Sequence, residues 1–176
     1  MFILYGVLAG LLAGVLLGGR PAGLAAIRFR LGPLALLALA IQLVLFSPLA
    51  EPLPDDLGRA IYVASTVLVG IVVLANLRLT GMPVVALGAA LNLAVIVANG
   101  GSMPASPGAL ASLGMSAGGN TNSVVVDRPA FEPLTDVFAL PGWLPLANVF
   151  SVGDALIGLG IAIAIAAAMR REPTLT

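Results

Sequence analysis

The sequence predicts an all-α, polytopic membrane protein: five transmembrane helices carrying an extracytoplasmic cap. Three observations carry this expectation. Hydrophobic residues make up 60% of the 176-residue chain and charged residues only 9%, with a mean hydropathy of +1.11. An ordinary soluble domain has about 25% charged residues. The apolar residues fall in five runs, at about 2–18, 31–49, 60–77, 82–98 and 152–169, each near the length that crosses a bilayer core. Between the last two runs, residues 99–151 are too polar and too broken by Gly and Pro to span. They are expected to form the cap, and the whole chain to form a single membrane domain.

No basic residue precedes the first run, so it lacks the n-region of a cleaved signal peptide and reads as a retained span. Gly6, Gly10, Gly14 and Gly18 recur at every fourth position. They lie along one helix face and let another backbone approach closely. The partner is either a helix of the same chain or a second copy. A basic loop follows, with Arg20, Arg28 and Arg30. The second run has Pro33 in its first turn, where a missing N–H costs little, and Gln42 as the polar residue within its apolar stretch. An acidic turn holds Glu51, Asp55 and Asp56.

The third run ends at Asn76 and Arg78, and a tight Leu79-Thr80-Gly81-Met82-Pro83 connection leads into the fourth. That run carries Asn92 and stops at Asn99-Gly100-Gly101-Ser102-Met103-Pro104, a pattern of Asn and Gly followed by Pro that ends helices. Asn92 and Asn99 share a helix face. They are candidate binding residues, serving either as helix-end chemistry or as a polar wall aimed at Asp154.

Within the cap, residues 106–113 read as a short helix with Ser106 as N-cap and Pro107 first. Residues 115–123 are rich in Gly, Asn and Ser and read as a mobile loop. Residues 124–126 suit an extended segment, and residues 134–140 a short interfacial helix. Trp143, between Pro141 and Pro145, suits the headgroup region, where amphipathic rings settle; it is a third candidate binding residue. The last run ends at Arg170-Arg171-Glu172.

Arg placement sets the topology. Arg20, Arg28, Arg30, Arg78, Arg170 and Arg171 fall on one side of the alternating spans, and Arg59 and Arg128 on the other. The positive-inside rule then places the chain in the cell membrane with its amino terminus outside and its carboxyl terminus cytoplasmic. The acidic residues, except Glu172, fall on the outer side.

Composition also excludes chemistries. The chain has no Cys and no His, and its eight basic residues are all Arg. Thiolate metal sites, haem-ligating His and Schiff-base Lys are therefore ruled out. No cofactor and no metal is expected. Formal net charge is zero, which argues against a nucleic-acid footprint. The expected partners are the lipid bilayer and a membrane protein or a second copy.

Any acid–base chemistry must use carboxylates. Asp154 opens the last span in Ser151-Val152-Gly153-Asp154, which matches a capping box. A carboxylate there also suits the helix dipole. Ionisable residues near hydrocarbon are costly and tend to be functional, so Asp154 is a candidate catalytic residue as well. Asp136, on the same side, is its candidate partner, with Asp127 as the alternative. Two facing carboxylates can share a proton and activate water.

The pairing of Asn99-Gly100-Gly101-Ser102-Met103-Pro104 with Phe150-Ser151-Val152-Gly153-Asp154 resembles an uncharacterised bacterial family of multi-span membrane proteins, a domain of unknown function. More locally, Pro145, Asn148, Asp154, Ile157 and Gly160 look like the end of lipoprotein signal peptidase, a multi-span aspartic peptidase. That resemblance implies Asp154 as one catalytic aspartate, Asp136 or Asp127 as the other, and Asn99 as the site asparagine. The layouts differ, because the peptidase has four spans and places helices where residues 100–135 cannot span. The expected function is a non-catalytic scaffold or binding subunit acting through its cap. The alternative is an aspartate-dependent intramembrane hydrolase. A proton-coupled carrier has less behind it, since no carboxylate lies mid-span.

Overall fold

The five apolar runs become five helices in the computed structural model, which describes residues 2–115 and 123–171. They are α1 (Phe2–Leu16), α2 (Gly32–Leu45), α3 (Asp55–Ala75), α4 (Met82–Ala98) and α6 (Val152–Met169), with a short α5 (Pro107–Ser112) between the last two. Helices α3 and α6 are long and apolar enough to cross a membrane; α1, α2 and α4 are shorter apolar helices.

Two boundaries depart from expectation. Helix α2 stops at Leu45 because Ser47 and Pro48 open a 3-10 turn over Pro48–Ala50. The Leu49 amide donates to Ser47 Oγ (3.3 Å), and Pro48 has no N–H to continue the helix. Helix α3 starts at Asp55, before residue 60. Asp55 and Asp56 fill its first turn, where negative charge meets the positive end of the dipole.

Helix α6 packs between α1 and α4, α3 packs on α4, and α2 packs on α3. The row is therefore α1–α6–α4–α3–α2. Helices α1 and α6 run parallel, and the glycine ladder is used within the chain. A Cβ on Gly6 would lie 2.5 Å from the Gly158 carbonyl oxygen, and one on Gly10 would lie 2.8 Å from Ala162 Cα. Gly14 meets the Met169 side chain. Gly18 has a different task. Its φ is +79°, and it closes α1: the Gly19 amide donates to Gly14 O (2.8 Å) and the Gly18 amide to Val15 O (2.9 Å), the paired bonds of a Schellman end. On its other side α6 meets α4 through Gly153 against the Gly88 carbonyl and Gly160 against the Gly81 carbonyl.

These directions collect Arg20, Arg28, Arg30, Arg78, Arg170 and Arg171 at one end of the row. The Arg20 amide donates to Met169 O (2.7 Å) there. Asn76, 2% exposed, locks the same end. Its Nδ2 donates to Val72 O (2.7 Å) and Arg30 O (2.8 Å), and its Oδ1 accepts from the Arg30 amide (2.8 Å).

The cap occupies the opposite end. Strand β1 (Met103–Pro104) pairs in parallel with β2 (Ser123–Val124), and β3 (Phe138–Ala139) pairs antiparallel with β4 (Val149–Phe150). The helix expected over residues 134–140 is replaced by a 3-10 turn, Glu132–Leu134, and extended backbone. Pairing with a distant segment of the chain takes the amide a helix would need: Asp136 N–H donates to Pro104 O (2.9 Å), and Ser106 N–H donates to Asp136 O (3.0 Å). Helix α5 forms where expected, but Ser106 makes no side-chain cap bond among the described residues. Tyr62, Val95, Ile96 and Met103 form the core that joins cap to helices. Phe150 stacks on Phe2 (4.2 Å between ring centres) and on Phe138 (5.5 Å), which fixes the cap on the start of α1. Most of the loop expected over residues 115–123, and Glu172, lie outside the described residues.

Candidate functional site

Asp154 and Asn92 meet where α6 begins. The capping box forms as the sequence suggests. The Asp154 amide donates to Ser151 Oγ (3.0 Å), and the Ser151 amide donates to Asp154 Oδ2 (3.2 Å). The network then extends to the neighbouring helix. Asn92 Nδ2 donates to Asp154 Oδ1 (2.8 Å), and the Ser151 hydroxyl donates to Asn92 Oδ1 (2.9 Å). Ser151 is fully buried. Gly153 makes the approach possible, since a Cβ there would overlap the Asn92 side-chain oxygen. Both oxygens of Asp154 are thus engaged, and the start of α6 is pinned to the side of α4.

Asn99 is not part of this network. It sits at the C-cap of α4 and repeats what Asn76 does at the other end. Its Nδ2 donates to Val95 O (2.8 Å) and Ala130 O (3.0 Å), and its Oδ1 accepts from the Ala130 amide (2.8 Å). One amide side chain therefore clasps the loop around Ala130 as a strand would. Gly100 and Gly101, both with positive φ, complete a second Schellman end below it: the Gly101 amide donates to Ile96 O (2.8 Å).

The two candidate catalytic carboxylates stand on different scaffolds. Asp154 belongs to the helix row. Asp136 belongs to the cap, only 4% exposed and bracketed through its backbone by Pro104 and Ser106. Asp127 lies exposed in the loop before Arg128. Trp143 is 81% exposed, on a loop tied to α1 by the Tyr5 hydroxyl, which donates to Pro145 O. Among the described residues, no group of three or more acidic side chains is placed to hold a metal.

Sequence reasoning missed a cavity at the cap end. A cleft of about 750 Å³ opens at the cap end beside the α2–α3 turn. Phe46, Glu51, Asp55, Arg59, Tyr62 and Ser102 are among the residues lining it. The available signal was the acidic turn followed by a single Arg one helical turn into α3. Asp55 and Arg59 make a loose pair there, 4.0 Å apart.

No curated protein and no solved structure matches the chain. A family model does match, over residues 26–166, described as a family of unknown function, DUF5317. It spans α2 through most of α6 and includes Asn92, Asn99, Asp136 and Asp154. The chain belongs to this family of unknown function.

Proposed function

We propose that the protein is an integral membrane protein of five spans, with its amino terminus outside and its carboxyl terminus cytoplasmic. In this reading it serves as a non-catalytic scaffold or binding subunit through its outer cap. The membrane reading is supported by the outward faces of the row. Leu8, Leu12 and Leu16 on α1, Leu36 and Leu43 on α2, and Ile71 and Leu74 on α3 are all exposed. Soluble monomers rarely expose apolar surface on this scale, and lipid would cover it. The arginine-rich end then faces the cytoplasm.

The observation that carries the non-catalytic reading is the double engagement of Asp154. A general base must have an oxygen within reach of the proton it takes. Here one oxygen holds the Ser151 amide and the other holds Asn92. The hydrolase alternative would need a remaining lone pair of Asp154 to reach a water shared with Asp136 or Asp127.

Two experiments test the proposal. The chain has no Cys, so single cysteines report topology cleanly. Ser112→Cys should react with a membrane-impermeant maleimide on intact cells, and Arg170→Cys only after permeabilisation; the reverse pattern would overturn the orientation. A folded Asp136→Asn/Asp154→Asn variant should replace the wild-type chain in its host. A phenotype matching deletion, with the variant present at normal levels, would instead establish the carboxylates as catalytic.

A further inference from the structure

The outer cleft has a neighbour at the α2–α3 turn. A second, apolar hollow of about 400 Å³ lies between α2 and α3, lined by Ala40, Ile41, Val44, Leu45, Leu53 and Ile61. Leu45 and Leu53 line both spaces. A chamber of mixed polar and apolar lining at the end of the helices thus adjoins, at Leu45 and Leu53, an apolar groove along them. That sequence of environments matches a membrane lipid, whose charged headgroup is joined to hydrocarbon. It does not match a wholly soluble solute or a wholly apolar one.

We propose that this pair of spaces binds one zwitterionic aminophospholipid, with its phosphate on Arg59, its ammonium toward Glu51 and Asp55, and one acyl chain in the α2–α3 groove. The inference rests on the membrane-spanning reading above and names a ligand class for the binding role. Arg59 is the one cation among the described residues that line the cleft, beside the acids Glu51 and Asp55. Its guanidinium can take two phosphate oxygens in parallel, the geometry that favours Arg at phosphates. Its pairing with Asp55 is long, at 4.0 Å, and both side chains are largely exposed, so it yields readily to a closer anion. Among the described lining residues two acids stand against one Arg, an excess of negative charge. That disfavours an anionic headgroup and favours one that brings its own cation. A primary ammonium donates hydrogen bonds to carboxylates, whereas a quaternary one cannot. Phosphatidylethanolamine therefore suits the lining better than phosphatidylcholine or phosphatidylglycerol. The cleft volume lies within the range of ordinary ligand sites, enough for a headgroup, while the second acyl chain stays in the bilayer.

The test is native mass spectrometry of the full-length protein in detergent, titrated with these three lipids carrying identical acyl chains. The expected result is one phosphatidylethanolamine retained per chain, at least fivefold over the other two. Arg59→Gln should lower retention about tenfold, the scale of one charge-assisted hydrogen bond. Leu53→Trp, which plugs the junction of the two spaces from an exposed turn, should lower it as well and carries the test if Arg59→Gln misfolds. Equal retention of all three lipids, or unchanged retention in both variants, overturns the proposal. Glycerophosphoethanolamine should fail to displace the lipid at millimolar concentration; displacement at micromolar concentration would reassign the cleft to a soluble phosphate ligand. If maleimide labelling supports the five-span topology while lipid selectivity is absent, the lipid site alone fails. If the chain does not fractionate with membranes, both readings fail together.

Discussion

Cutting the bond between Asn92 and Asp154 should cost stability in a way that neither residue shows alone. Asp154→Ala removes the acceptor of Asn92 Nδ2 and the acceptor of the Ser151 amide. A hydrogen bond to a charged group contributes about 1.5–3 kcal/mol, and an N-terminal cap about 0.5–2 kcal/mol. Asp154 is only half-buried, so water can reach the site and the lower parts of these ranges apply. The expected loss is about 2–3 kcal/mol. Asn92→Ala removes the same shared bond together with the acceptor of the Ser151 hydroxyl, for about 2 kcal/mol by the same scale. In the double variant the shared bond is lost only once. The cycle should therefore return a coupling of about 1.5 kcal/mol, above the average of about 0.6 and below the maximum of about 1.7 kcal/mol measured for polar pairs between membrane helices. Asp154→Asn should fall between wild type and Asp154→Ala. It keeps one acceptor but turns a donor toward either Asn92 Nδ2 or the Ser151 amide. The assay is reversible unfolding in mixed micelles, followed by helical circular dichroism. Single effects that sum to the double within about 0.3 kcal/mol, the ordinary error of additivity, would refute the coupling. Wild-type stability in Asp154→Asn would refute the role of the charge.

Other perturbations follow from the same geometry. Gly10→Leu forces a side chain against the backbone of α6 at Ala162, so it should unfold or detach α1, with a loss of about 3 kcal/mol or more; protease resistance equal to wild type, together with a lower oligomeric state, would show that the ladder serves a second copy instead. Gly18→Ala should cost only about 1 kcal/mol, because the position requires positive φ but touches nothing; a loss as large as that of Gly10→Leu in the same unfolding assay would contradict this. Asn99→Ala should free the loop at Ala130, seen as faster amide exchange there with α4 still protected, and unchanged exchange would remove the clasp from the account. Trp143 is the only Trp, so its emission should shift to the blue in vesicles and be quenched by lipids brominated near the headgroup. Emission typical of water would place the ring away from the bilayer.

The helices were readable from the sequence because hydropathy alone separates them. The glycine ladder and the Ser151–Asp154 capping box were readable because both are local patterns with one physical use. What was not readable depended on pairs far apart in the chain. For Asn92 the local sequence leaves two readings, helix-end chemistry or a polar wall toward Asp154, and cannot choose between them, although Gly153 is the vacancy that admits its contact. Asn76 looked like a helix end and nothing more, yet it holds Arg30 as Asn99 holds Ala130. The segment from Leu134 to Leu140 has a plausible helical composition, and only its partners, Pro104 and Asn148, draw it into extended pairing. The cleft at the cap end is assembled from the α2–α3 turn, α3 and the cap together, and no single stretch announces it.

The parallel pairing of α1 with α6 also sets an order of assembly. A ribosome releases α1 first and α6 last. The face bearing Gly6, Gly10 and Gly14 therefore stays open while α2 to α5 are made, since its complement, Gly158 through Met169, emerges only after them. During that interval α2, α3 and α4 can already associate in sequence, each with its neighbour. The final helix then enters between two elements already in place and closes the row from the middle. An interruption of synthesis before residue 152 would leave α1 orphaned beside a three-helix remnant, a species that quality control should recognise by its uncovered glycine face.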